Sequence, residues 1–351
     1  MTAPSIRRAV SLLPSCATTG IGSLPHTQLE LGLQLALQVD IPYLPQLPSQ
    51  NPAELMIPAA LEGFPGAVFD PEGMATIVVD HWREARTGFG ERLELALQSG
   101  QLEAFEPTPS ANRAWRPFLW EVEHRKLALA KVQLAGPATV RWVTQTTAGT
   151  VAAQVPELDQ QLFRLILARA LAMVKAVRRA GATPILYLDE PGLYALNLQD
   201  PTHLLVLQEL KVLVAALQRE GALVGIHCCG NTRWPAVLGL GADLISLDVR
   251  LSLDALVEDQ AAFEAFLATG ATLSLGIIPT NLDARYEVRN LVDSVEATLR
   301  ATLKTDRRFQ EVLGRCVLTP ACGLALRNIV DVERVFEDLR AAQKRLIASS
   351  K

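Results

Sequence analysis

The chain has 351 residues, 49% of them apolar and 20% charged, with 22 Gly and 21 Pro. A chain of that length buries about three quarters of its unfolded surface, so a full core is within reach and disordered, collagen-like and low-complexity architectures are excluded. The balance of 33 basic and 37 acidic side chains gives a net charge of −4 with no long basic run, which argues against a nucleic-acid surface.

The opening MTAPSIRRAVSLLPSCA holds an Arg pair and a short apolar run over 9–13, broken by Ser11 and closed by Pro14. That run is shorter than the roughly 7–15 residues of a secretory core, and no stretch approaches the roughly 18 residues of a membrane span. Five cysteines are too few, and odd in number, for a disulfide scaffold. A cytoplasmic, reducing location with no membrane partner is expected.

Short β-prone runs then alternate with longer helical patterns. Strands are expected over 17–22, 42–46, 130–135, 184–189, 223–229, 243–248, 272–277 and 316–319. Between them lie apolar-periodic helices over 158–179, 201–219, 254–268, 286–303 and 330–346. In the first, Leu162, Phe163, Ile166, Ala170, Met173 and Val177 share a face. Eight strands with intervening helices predict an α/β fold, a single (β/α)8 TIM barrel spanning 1–351. A doubly wound sheet is the alternative, but no G-x-G-x-x-G or Walker pattern follows any strand. Residues 47–126 break the rhythm, holding Trp82, Trp115, Trp120 and much proline. They read as an insertion after strand two, expected over the barrel mouth.

Barrel chemistry sits at the C-terminal strand ends, and the polar residues fall there. Those ends are Gly20-Ile21-Gly22-Ser23, Gly136-Pro137-Ala138-Thr139, Asp189-Glu190-Pro191, His227-Cys228-Cys229-Gly230-Asn231, Asp248, Pro279-Thr280-Asn281 and Ala321-Cys322-Gly323. Strand alternation points His227 and Cys229 the same way and sends Cys228 into the helix layer. A His and a Cys two residues apart form half of a zinc site, with Cys322 as a third ligand and Asp248 as an oxygen donor. Cys316 and Cys16 lie near the other ends of their strands and read as structural. Asp189 and Glu190 also alternate, so one of them faces the axis, where an acid would hold a substrate ammonium. His26 reads as a polar loop residue, and His81, His124 and His203 carry no constellation.

These motifs resemble a superfamily: the barrels of cobalamin-independent methionine synthase, uroporphyrinogen decarboxylase and the corrinoid:thiol methyltransferases. TGIGSLP resembles the synthase IGS segment, AGPAT its TGP-x-T, LDEP its IDEP, and TPACGL its PDCGL. HCCGNT resembles the HxCGNT of the methylcobamide:coenzyme M methyltransferases. The resemblance implies zinc (Zn2+) on His227, Cys229 and Cys322, with Asp248 standing where the synthase has Glu. It implies a substrate wall of Ile21, Ser23, Asp189 and Glu190, with Asp189 the catalytic residue that holds the substrate's amino group. The expected activity is zinc-dependent methylation of a small-molecule thiol, homocysteine foremost. Uroporphyrinogen-decarboxylase-like chemistry on a tetrapyrrole, transfer from methylfolate, transfer to another thiol such as coenzyme M, and a non-catalytic carrier are the alternatives.

Three departures from the family pattern stand out. The synthase's N-terminal half has no counterpart, and its Gly-Glu-Pro motif after strand two is replaced by LPSQNPAEL. Asn281 stands where the synthase has a catalytic His. Asn cannot deliver a proton at neutral pH, which favours a methylated corrinoid such as methylcobalamin, free or on a corrinoid protein, over methylfolate as donor.

Overall fold

The computed structural model describes residues 12–281 and 285–350. In chain order the strands are β1 (Ala17–Thr18), β2 (Ala67–Phe69), β3 (Ala75–Ile77), β4 (Leu129–Ala135), β5 (Gln145–Thr146), β6 (Thr183–Asp189), β7 (Leu223–Cys228), β8 (Leu244–Asp248), β9 (Thr272–Ile278) and β10 (Val317–Pro320). Seven of them build one parallel sheet in the order β1-β10-β9-β8-β7-β6-β4, and β2, β3 and β5 make a small second sheet. Their runs, such as TPILYLD and TLSLGII, are buried almost throughout, as expected of parallel strands covered on both faces.

The expected second strand, 42–46, contributes isolated bridges instead of a ladder. Tyr43 pairs with Lys131 on β4, and Gln46 pairs with Ser23 beyond β1. Ile41 N–H donates to Thr18 O, Gln46 N–H to Gly22 O and Leu44 N–H to Lys131 O, at 2.9–3.0 Å. Pro42 and Pro45 lack N–H groups, so a continuous ladder cannot form there. β1 is likewise shorter than the expected 17–22. Segment 41–46 therefore bonds to both edges of the sheet, β1 and β4, through a thin seam.

Helices lie between the strands. Pro156–Arg179 follows the expected pattern, with Pro156 opening it, Glu157 and Asp159 in its first turn and Arg178 and Arg179 in its last. Such charges complement the helix dipole by about 0.3–1 kcal/mol each. The expected helix over 254–268 is two helices, Val249–Glu258 and Gln260–Ala268. The break comes at Asp259, whose carboxylate accepts from Ala262 N–H at 3.0 Å. A short helix, Asp306–Leu313, was not anticipated; Thr305 caps it.

Within 47–126, Val79–Ser99 packs along Pro156–Arg179, where Trp82 Nε1 donates to Gln161 at 2.9 Å. Trp115 is buried and Trp120 is exposed. Among the described residues no helix is long and apolar enough to cross a membrane.

Register places Asp189 beside His227, His227 beside Ser246, and Ser246 beside Ser274. Beneath this row an apolar plug includes Ala17, Ile41, Leu129, Ile185, Leu223, Leu244 and Val317. The alternate residues Leu188, Ile226, Cys228, Ile245, Leu247 and Leu275 join the main core with the helices. Period-two alternation thus divides one polar face from one apolar face.

Candidate metal centre

The ligand-type atoms of His227, Cys229 and Cys322 all lie within 4.8 Å of one another. His227 and Cys229 come from the end of β7, and Cys322 from the turn after β10, three positions round the sheet. His227 is buried, and its Nδ1 lies 2.9 Å from Ser246 Oγ. With Nδ1 so engaged, Nε2 is the nitrogen left for ligation, the usual way a metal-binding imidazole is oriented.

The thiols are electronically coupled. The Cys322 hydrogen bond makes Cys229 the readier of the two to ionise, holding its pKa below the ordinary thiol value. Cys322 is pushed up, first by the same bond to Cys229 and then by burial. The other cysteines behave differently. Cys228 is fully buried among apolar side chains, with its thiol raised to about 11 by burial and its Sγ 3.3 Å from Gly230 O. Burial also raises Cys16 to about 11 and Cys316 to about 12, and both donate to carbonyls of the Asp306–Leu313 helix.

A cavity of about 190 Å³ adjoins the trio and is lined by Ile21, Ser23 and Asp189 together with the three ligand-type side chains. Ser23 comes close to the Cys322 turn because Gly323 has no side chain; a Cβ there would lie 2.2 Å from Ser23 Oγ. Asp189 is buried, and its Oδ1 has no hydrogen-bond partner among the described residues. Burial raises its pKa, opposed by His227 and Lys131. An unpartnered carboxylate oxygen on a cavity wall suits a cationic ligand group.

Two of the anticipated site residues are used otherwise. Glu190 is absent from the cavity lining and fully buried. Its carboxylate accepts from Ala138 N–H at 3.0 Å and from Thr139 N–H and Oγ1 at 2.7 Å, tying the end of β6 to the first turn of the helix Pro137–Val143. Alternation turns it away from its neighbour Asp189. Asp248 stands outside the trio and caps the helix Val249–Glu258, accepting from Arg250 N–H at 2.9 Å. A strand end that runs directly into a helix puts the carboxylate over free N–H groups, and the cap takes it.

Glu190 also carries a pH signature. Burial lifts its pKa from 4.5 to about 7 against its hydrogen bonds. A raised folded-state pKa gives stability that is fully present below about 4.5 and lost as pH climbs through about 7. At about 1.4 kcal/mol per unit the swing is on the order of 3 kcal/mol. The loss of thermal stability between pH 5 and 8 should be shallower in Glu190→Gln, and equal slopes in the two proteins would contradict this.

No family model and no curated protein matches the chain. Among solved structures, it is similar to a B12-independent methionine synthase from Shewanella sp. W3-18-1 in complex with selenomethionine. The TM-score is 0.47 and the identity 16%, over 66% of this chain and 67% of that one. The likeness is distant. Function is therefore read from the site.

Other cavity-lining residues lacked a motif. Glu54, Leu55 and Met56 line it from the junction of two short helices, Pro52–Glu54 and Met56–Ala60, and Glu54 is held by Leu47 N–H at 2.8 Å and Arg113 Nε at 2.7 Å. Nothing in LPSQNPAELM marked them in advance. Asn281 lies in a separate hollow with Arg285, Tyr286 and Arg327.

Proposed function

We propose that this chain is a zinc-dependent thiol methyltransferase that methylates homocysteine. The observation that carries the reading is the convergence of His227, Cys229 and Cys322 beside a cavity walled by Asp189. One imidazole and two thiols are a donor set that zinc prefers, and three protein ligands leave a position for substrate. Zinc held there would supply the charge that keeps a substrate thiol ionised near neutral pH. We also read segment 41–46 as the eighth stave that closes a (β/α)8 barrel.

The chain's own groups do the rest. Asp189 orients the substrate ammonium, and the Ile21–Ser23 turn forms the opposite wall. Pro48, Leu55 and Met56 present apolar surface that displaces water from the reacting sulfur. The sulfur attacks the methyl carbon, the bond from carbon to donor breaks, and the donor leaves with the electron pair. Among the cavity-lining residues the titratable groups are Glu54, which is bound by Arg113, Asp189, which this reading assigns to the substrate ammonium, and His227, Cys229 and Cys322, which it assigns to the metal. This supports a methylated corrinoid, free or on a partner protein, as donor.

The small cavity also bears on the tetrapyrrole reading. Sites for drug-sized ligands run to about 300–1,000 Å³, so about 190 Å³ suits a short amino-acid thiol held inside and leaves any macrocycle, substrate or donor, to dock at the mouth. The test is zinc content followed by methyl transfer. About one zinc per chain and methionine formed from methylcobalamin and homocysteine are expected. Efficient transfer from methylfolate alone would overturn the donor assignment, and absence of both zinc and transfer would overturn the whole reading.

A further inference from the structure

The interior holds a lysine that no motif marked. Lys131 on β4 is 1% exposed. Its Nζ donates to Ile21 O at 2.6 Å and to Gln133 Oε1 at 3.0 Å, and sits 4.8 Å from the Tyr187 ring centre and 6.0 Å from that of Tyr43. Among the described residues it has no carboxylate within ion-pair distance, although Asp189 is near enough to favour its charge. An ammonium removed from water without a direct counter-ion is costly, so its contacts have a purpose to be found.

Those contacts converge on the seam and on the substrate wall. Gln133, which accepts from Lys131, donates to Leu44 O at 2.8 Å and to Gln46 Oε1 at 3.2 Å. Ile21 and Gln46 both line the cavity. Gly22 lies so close that a Cβ would stand 2.6 Å from the Gln133 amide nitrogen. One buried cation thus links β4, segment 41–46 and the turn after β1, where the backbone bonding is thinnest. The opposite wall is Asp189, whose Oδ1 has no partner among the described residues.

We propose that Lys131 is a positioning residue that fixes the Ile21–Ser23 turn and so sets the cavity's preference for a thiol bearing an amino-acid end. The proposal rests on the thiol-binding reading above. Lys131 does not line the cavity, so it acts through Ile21, Gln133 and Gln46 without touching substrate. Burial lowers its pKa to about 8, which leaves it mostly protonated at neutral pH.

The experiment is calorimetric titration of zinc-loaded protein with L-homocysteine and with propanethiol, which shares the thiol and lacks the charged end. In Lys131→Met, zinc content should remain at the wild-type level, homocysteine binding should weaken at least tenfold, and propanethiol binding should change less than twofold. Equal weakening for both thiols would show a merely structural lysine, and unchanged homocysteine affinity or lost zinc would equally overturn the proposal. Should Lys131→Met fail to fold, Gln133→Leu decides: the same selective loss supports the proposal, and unaltered discrimination overturns it. Failure of the wild-type protein to bind either thiol would instead strike the thiol reading, and this proposal with it.

Discussion

Cys229→Ser is expected to lose zinc, while its neighbour Cys228→Ser keeps it. The two thiols are adjacent in sequence and opposite in the fold. Cys229 shares a cluster with His227 and Cys322, whereas Cys228 is packed in the main core. Structural zinc sites in small domains are worth about 10–16 kcal/mol, so each of three or four ligands accounts for roughly 2.5–5 kcal/mol. At about 1.4 kcal/mol per decade, losing one ligand weakens zinc by about a hundredfold or more. Serine at 228 retains a donor for Gly230 O and should cost only modest stability. Elemental analysis after dialysis against a weak chelator reads the difference. The reverse pattern, with Cys228 essential and Cys229 dispensable, would mean the β7 register assumed for the site is wrong.

Asp189→Asn should raise the KM for homocysteine about thirtyfold or more while zinc content stays at its wild-type value. Asp189 presents an oxygen with no partner to the cavity, and truncating one side of a buried charge pair costs about 2–5 kcal/mol. The amide retains the shape and loses the charge. Since Asp189 stands apart from the trio, kcat at saturating thiol should fall less than kcat/KM. Loss of zinc with unaltered thiol affinity would instead make Asp189 a support for the metal.

What the sequence reveals and what it conceals separate along physical lines. Strand alternation was enough to distinguish Cys229 from Cys228 and to bring His227 to the same side, because the period of two is rigid in a buried strand. It was not enough for Asp248 or Glu190. Each is a carboxylate at a strand end, and such groups serve free N–H groups at helix starts as readily as ligands; the local geometry after the strand decides. Asp248 runs straight into a helix and caps it. Glu190 meets the free N–H groups of Ala138 and Thr139 at the start of the helix Pro137–Val143.

Segment 42–46 looked like a strand from its apolar content, but its two prolines reduce it to isolated bridges. Lys131 and Gln133 were in principle visible. A lysine and a glutamine two residues apart inside LALAKVQLA share a face of an otherwise apolar strand, which is the signature of polar groups aimed inward. The cavity residues Glu54, Leu55 and Met56 had no such signal, since the helices that carry them, of three and five residues, are too short to show a period.

X-ray absorption at the zinc edge of the zinc-loaded protein tests the central claim most directly. Two sulfur scatterers at about 2.3 Å and one imidazole nitrogen at about 2.0–2.1 Å are expected, with a third sulfur appearing when homocysteine is added. A zinc environment of oxygen and nitrogen alone, or a sulfur count that homocysteine leaves unchanged, would contradict it.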